Sequence, residues 1–301
     1  MQATDWRGVF PAITTPFNED LSVDHDGLRD HVAWLIDSGS TAILPLGSLG
    51  EAATMSFQEK VEIFRTCRSV TEGRVPLVAG ISAMSTHEGV ALAKEAERAG
   101  CDGLMVLPPY VYRSDWREMK AHMEAIITAT PLSCMLYNNP IAYGTDFLPS
   151  EVEELCVHEN LHSVKESSGD IRRVTAIRAL LGDRLAIFVG IDDMIVEGIA
   201  AGAVGWIAGL VNALPEESVR LYDLAMSGDR EGTRELYEWF IPLLHLDLGP
   251  RFVQLIKLAQ SELGRGSARV RPPRLELLPE EAEGVRDLVR RKMAARPDLV
   301  R

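Results

Sequence analysis

Three short runs of the sequence hold residue types able to do carbonyl chemistry. In SVKESSGD, residues 163–170, Lys165 ends an apolar stretch and is followed by an acid, two serines and a glycine. A lysine at the rim of an apolar core is poorly solvated. Desolvation disfavours the ammonium, lowers its pKa and frees the amine to attack a carbonyl and form a Schiff base. Position alone equally suits a lysine paired with a neighbouring acid. Tyr137, in LYNNP, tips the balance. If its strand runs beside that of Lys165 and in step with it, about 5 Å separates the two backbones, so the phenol can carry a proton to or from the carbon or oxygen next to an iminium. Taken alone, such a tyrosine is an interfacial residue with a satisfied hydroxyl. GSLGE, residues 47–51, brings Gly47 and a second glycine, leaving backbone N–H groups free to approach a carboxylate. Ser48 adds a hydroxyl for a proton relay with Tyr137. A plain glycine turn before a helix is the commoner meaning of such a loop.

These residues need a frame that brings them together. Runs rich in Val, Ile and Leu alternate eight times with amphipathic segments of helical length, the pattern of a parallel sheet covered by crossover helices. The expected strands are GVFPAITTPF from Gly8, TAILPLG from Thr41, VPLVAG from Val75, DGLMVLPP from Asp102, LSCMLYNNP from Leu132, LHSVKE from Leu161, LAIFVG from Leu185 and VGWIAG from Val204. Helix starts are signalled by Asp24, by Ser56 with Glu59, by Ser85 and by Ser114. The expected fold is a closed (β/α)8 TIM barrel with a C-terminal helical extension, the barrel over residues 1–212 and the extension over 213–301. An open doubly wound sheet is the alternative, and it lacks the GxGxxG loop of its usual cofactor. In a barrel the reacting groups sit at the carboxyl ends of the strands, where Lys165 and Tyr137 fall. Gly190 and Ile207 end the seventh and eighth runs and shape the pocket floor.

Composition removes other classes. A net charge of −13 argues against a surface that neutralises phosphates or docks on anionic lipid, so neither a nucleic-acid nor a membrane partner is expected. Cys67, Cys101, Cys134 and Cys156 form no CxxC pair and suggest free thiols in a reducing compartment. With no basic, apolar leader at the start and no run long enough to span a bilayer, a cytoplasmic chain is expected. The seven histidines are scattered, so no metal site is expected, and His162 reads as a satisfied core or surface residue. Glu166, Asp192 and Asp193 either orient the mouth loops or cap the following helices, and capping is the expectation.

In this order, each at a strand end, GSLGE, YNNP and VKESSGD resemble the dihydrodipicolinate synthase and N-acetylneuraminate lyase family, from about Gly8 to the C-terminal helices. The resemblance implies a Schiff-base lyase without cofactor or metal, acting on pyruvate or another 2-oxo acid and assembling as a homotetramer, a dimer of dimers. Lys165 would form the imine, Tyr137 would relay protons, and Ser48 with the amide of Leu49 would hold the 2-oxo acid carboxylate. In the synthase branch the loop reads GTTGE and an arginine follows the YN-x-P motif by two residues, binding the second substrate's carboxylate. Here those positions are Leu49 and Ala142. The family's second, cross-subunit tyrosine aligns with Val111, with Tyr110 or Tyr112 as substitutes, and Tyr143 joins the substrate-binding candidates.

GSLGE, YNNPIAYG, VKESS and LLHLDLGPRFVQLIKLA are closer to the deaminases of hydroxyproline breakdown, which convert 1-pyrroline-4-hydroxy-2-carboxylate to 2,5-dioxopentanoate and ammonia. That cyclic imine suits the expected site. Lys165 would add at the carbon bearing the carboxylate and exchange one imine for another, and the new iminium would draw off the C3 proton and expel the 4-hydroxyl. The rivals are a pyruvate-releasing aldolase, the synthase itself, and a barrel kept as a metabolite-binding regulator.

Overall fold

The computed structural model describes residues 1–110, 112 and 115–298. Seven strands form one parallel sheet: β1 (Gly8–Pro11), β2 (Val78–Ile81), β3 (Gly103–Val106), β4 (Ser133–Asn138), β5 (Leu161–Glu166), β6 (Ala186–Val189) and β7 (Gly205–Ala208), in the order β1-β7-β6-β5-β4-β3-β2. The run expected as a second strand, 41–47, closes the ring between β1 and β2 through two isolated bridges, Ala12 with Leu44 and Ile43 with Leu77. It does not form a regular strand. Pro45 has no N–H to donate and Leu46 has a left-handed φ of 64°, so the ladder cannot run further. The result is the expected (β/α)8 barrel, with one stave that is hydrogen-bonded to both neighbours as far as Pro45 O without forming a regular strand.

Strand parity divides the core in two. Phe10, Met105, Met135, Tyr137, Phe188 and Ile207 point inward and pack with Trp6 at the barrel axis. Alternate residues such as Val9, Leu104, Leu136 and Val164 point outward against the helices. On β5 this parity puts Ser163 and Lys165 inside.

The barrel helices are α1 (His25–Asp37), α2 (Phe57–Thr71), α3 (Thr86–Arg98), α4 (Trp116–Ile127), a short α5 (Pro140–Tyr143), α6 (Pro149–Leu155), α7 (Arg172–Leu181), α8 (Ile195–Ala200) and α9 (Pro215–Ser227). α10 (Arg230–Leu244), α11 (Phe252–Glu262) and α12 (Pro279–Ala294) follow and pack on one another. Asp24, Ser56 with Glu59, and Ser85 cap their helices as expected. Ser114 lies outside the described residues, as does Val111; the cap of α4 is Asp115, whose carboxylate accepts from the Glu118 amide. Among the described residues, no helix is long and apolar enough to cross a membrane.

Candidate active site

β4 and β5 run in register with Tyr137 opposite Lys165 and Asn138 opposite Glu166. The in-step arrangement expected from the sequence is therefore present, and the Lys165 Nζ lies 4.2 Å from the centroid of the Tyr137 ring. Lys165 is 6% exposed. Gly190 makes room for it: a Cβ there would fall 2.4 Å from Lys165 Cε and 2.0 Å from Ser167 Oγ. Any side chain at 190 would push the lysine out of place.

Two asparagines fix the end of β4. Asn138 donates to Glu166 Oε2 at 3.0 Å and to Asp146 Oδ1 at 3.2 Å, and accepts from the Phe147 amide. Asn139 donates to the Tyr137 hydroxyl at 2.9 Å, while its carbonyl caps α5 by accepting from the Ala142 amide. Pro140 starts that single turn and Gly144, with φ of 72°, ends it. α5 thereby delivers Tyr143 to the site. The Tyr143 and Ser48 hydroxyls are hydrogen-bonded, and the Tyr143 ring meets that of Tyr137 edge-on with centroids 5.6 Å apart. Burial, then the neighbouring Tyr137, pushes the Tyr143 phenol above its ordinary range. The relay expected between Ser48 and Tyr137 is thus arranged differently: the Ser48 hydroxyl meets Tyr143, and Tyr137 meets Asn139.

The Ser48 loop is anchored from behind. Glu51, fully buried with φ of 57°, accepts from Lys257 Nζ at 2.8 Å and from the Arg271 amide at 3.0 Å. Lys257 in turn lies 4.3 Å over the Phe17 ring. Leu49 packs on Val253, Ile256 and Val270. The C-terminal helices therefore hold the loop that presents Ser48.

These groups surround a cavity of about 500 Å³ lined by Gly47, Ser48, Leu49, Tyr137, Lys165, Gly190 and Ile207 among the residues picked out from the sequence. Tyr143 stands behind that wall. Tyr110 lies a layer further out, its ring 6.0 Å from Tyr143, and lines a separate groove. Tyr112 is 59% exposed on this chain and donates to Glu118. The cavity also contains Asn139, Ser167 and Asp247, which sequence reasoning did not select. The Asn-Pro pair followed by glycine signals a capped turn and could have revealed Asn139. Ser167 has the strand parity of Lys165, and Asp247 lies in LLHLDLGPRFVQLIKLA, a stretch that carries the resemblance without marking any one residue in it. Among the described residues that line the cavity, Lys165 is the sole basic side chain.

The expected capping by Glu166 and Asp192 is not what the structure shows. Neither α7 nor α8 has a side-chain cap. Glu166 accepts from Asn138 and from the Ser168 amide at 2.6 Å, and burial raises its pKa against those bonds. Asp192 accepts from Trp206 Nε1 at 3.0 Å and from the amides of Gly209 and Leu210. Burial raises it to about 6, opposed by those donors. Both carboxyls satisfy loop N–H groups at the barrel mouth, where unpaired donors would cost more than an open helix end. Asp193 faces His245 at 3.5 Å. Among the described residues no cluster of three or more candidate ligands could hold a metal ion.

A parallel barrel with a buried strand-end lysine facing a tyrosine defines the class I, Schiff-base type of site. Residues 5–292 match the model of the dihydrodipicolinate synthetase family. A 4-hydroxy-tetrahydrodipicolinate synthase of Geobacter metallireducens is 33% identical over 273 residues, covering 89% of this chain and 92% of that protein. The crystal structure of a putative dihydrodipicolinate synthetase from Pseudomonas aeruginosa superposes with a TM-score of 0.90 at 31% identity, covering 95% of this chain and 99% of that one. YagE, a prophage protein of the same family from E. coli K12 in complex with pyruvate, gives a TM-score of 0.90 at 25% identity over 95% of this chain and 98% of its own. The chain belongs to the dihydrodipicolinate synthetase family of lyases.

Proposed function

We propose that the protein is a Schiff-base lyase that dehydrates and deaminates 1-pyrroline-4-hydroxy-2-carboxylate to 2,5-dioxopentanoate and ammonia. The observation that carries this reading is the charge of the cavity wall. Ala142 stands where the resemblance places the synthase arginine, and among the described residues that line the cavity Lys165 is the one cation. A substrate with one carboxylate is accommodated at the Ser48 loop; the second carboxylate of a condensation partner finds no counter-ion among the described residues and meets Asp247 instead.

Lys165 Nζ adds to C2 of the cyclic imine and the ring nitrogen leaves as a primary amine on C5. Tyr137, across one strand spacing, takes a proton from C3 to give the enamine. The C2–C3 electron pair then forms the C3–C4 double bond as the C4–O bond breaks. Proton shifts give an imine at C5, one water releases ammonia there, and a second frees Lys165. Overall one water is consumed, because another is lost from C4. Ser48, whose hydroxyl Tyr143 meets from behind the wall, supports this reading by offering a donor to the carboxylate.

Reduction with borohydride in the presence of the hydroxypyrroline, followed by mass spectrometry of the Lys165 peptide and an ammonia assay, tests the proposal. Trapping with ammonia release is expected. Pyruvate formation without ammonia would move the assignment to an aldolase. We further propose a homotetramer, supported by the exposed apolar side chains Met84, Ile141, Leu275 and Leu278. Light scattering should give four times the 33.2 kDa of one chain.

A further inference from the structure

Lys165 stands between two unlike walls. On the β4 side are the phenols of Tyr137 and Tyr143. On the other side β6 and β7 follow in the sheet, and the mouth there is occupied by two carboxyls, Asp192 and Asp247. The two acids differ in what surrounds them. Asp192 accepts from an indole N–H and two backbone amides, donors suited to a carboxylate anion. Asp247, in the turn His245–Asp247 after α10, has no hydrogen-bond donor to its carboxyl among the described residues. It packs flush on the end of β7, where a Cβ on Gly209 would come within 2.2 Å of its Oδ1. The same Gly209 donates its N–H to Asp192. The two carboxyls thus sit on either side of one glycine.

Two neighbouring carboxyls of this kind do not ionise equally: the one with N–H donors keeps the charge and the other keeps the proton. Burial, then the charge of Asp192, raises Asp247 well above an ordinary aspartate, with Lys165 opposing and Asp193 adding to the rise. Tyr137 and Asp247 therefore offer a base and an acid on opposite flanks of the imine. β-Elimination needs this pair, because one proton is taken from C3 while another must reach the oxygen leaving C4.

We infer that Asp247 is the general acid that protonates the departing C4 hydroxyl, a role that rests on the dehydration proposed above. As the C4–O bond breaks with its electron pair on oxygen, the Asp247 proton moves to that oxygen and water leaves. The Asp247 carboxylate recovers its proton from solvent at the cavity mouth. No oxidant, metal or second substrate is needed.

The test uses Asp247→Asn in the whole enzyme with two substrates. Pyruvate reports the steps before elimination: borohydride trapping on Lys165, and deuterium uptake at its methyl group in D2O. The hydroxypyrroline reports elimination through ammonia. The expected result is trapping and deuterium uptake within about threefold of wild type, with ammonia release reduced by about 10²–10⁴-fold. Asp247→Glu, which keeps an acid in place, should recover at least about a tenth of the rate. Ammonia release at the wild-type rate in Asp247→Asn overturns the inference, as does equal loss of trapping, exchange and elimination in both variants. Failure of the underlying reading looks different: wild-type enzyme then traps pyruvate but releases no ammonia from the hydroxypyrroline, and the inference falls with it.

Discussion

Lys165 and Tyr137 are partners on one rung of the β4–β5 ladder, and the lysine amine lies over the face of the phenol ring at 4.2 Å from its centroid. The ring face and the low exposure of the side chain together hold the amine in place. The amine is thereby kept at a fixed height above the barrel floor. Lys165→Ala should abolish turnover and borohydride trapping while leaving the thermal transition within a few degrees of wild type. Persistence of activity in that variant would refute the Schiff-base assignment.

Tyr143 and Ser48 share a hydrogen bond behind the cavity wall. Tyr143→Phe deletes one hydroxyl and leaves Ser48 with a buried, unmet partner, so kcat/KM should fall by about 10²-fold. Tyr112→Phe, which among the described residues removes only the bond from its hydroxyl to Glu118, should change neither kcat nor KM. Steady-state kinetics of the two variants side by side decides whether Tyr143 or Tyr112 supplies the second phenol.

Gly190 borders both Lys165 and Ser167, each too close for a Cβ. Gly190→Ala should therefore lower the rate of imine trapping itself, by about 10²-fold for a displacement near 1 Å. Fast-quench trapping with pyruvate measures it; a normal trapping rate would show that the lysine tolerates the shift.

Glu51 and Lys257 form a buried ion pair, 0% and 2% exposed at their side chains. Removing one partner strands the other, so Glu51→Gln should cost about 3–5 kcal/mol. The double variant Glu51→Gln, Lys257→Met should regain a good part of that. Denaturant titration of wild type, both singles and the double provides the cycle, and strict additivity would contradict a direct pairing.

His31 contributes a pH dependence of definite sign. Burial pushes its ring down to about 4 from 6.5, against the pull of Asn212, whose Oδ1 lies 2.8 Å from Nε2, and with the help of Arg265. The unfolded chain binds that proton first as pH falls. Its share of stability is thus complete above about pH 6.5 and is lost as pH drops towards 4, amounting to at most roughly 3 kcal/mol. His31→Gln should flatten the stability curve over this range relative to wild type. An unchanged slope between pH 6.5 and 4 would show that the ring is not held neutral.

Much of the site is legible in the sequence because strand ends announce themselves. The β4 and β5 runs stop at Asn138 and Glu166, and period-two alternation then puts Tyr137 and Lys165 on one face. The segment 41–47 reads as a strand by composition, but Pro45 and the left-handed Leu46 interrupt its ladder. Asp192 looks like a helix cap from its place before α8, yet the buried amides of the next barrel strand compete for it and win. Asp247 lies in a stretch that the sequence singles out, LLHLDLGPRFVQLIKLA, but its own place is not legible there, because Gly209 and the cavity are brought to it only by the packing of the last helices.

The tie from Glu51 to Lys257 on α11, together with the placement of Asp247 on the turn just before that helix, means that one continuous stretch after α10 touches both ends of the cavity. The lysine and its phenol belong to the barrel, whose strands must close on themselves and so accept few changes. The stretch from 245 to 257 is free of that closure. An ancestral barrel could thus have kept one way of activating a carbonyl while exchanging this single segment to decide what happens at the next two carbons. Grafting it between relatives is the shortest route by which one reaction in such a lineage could become another.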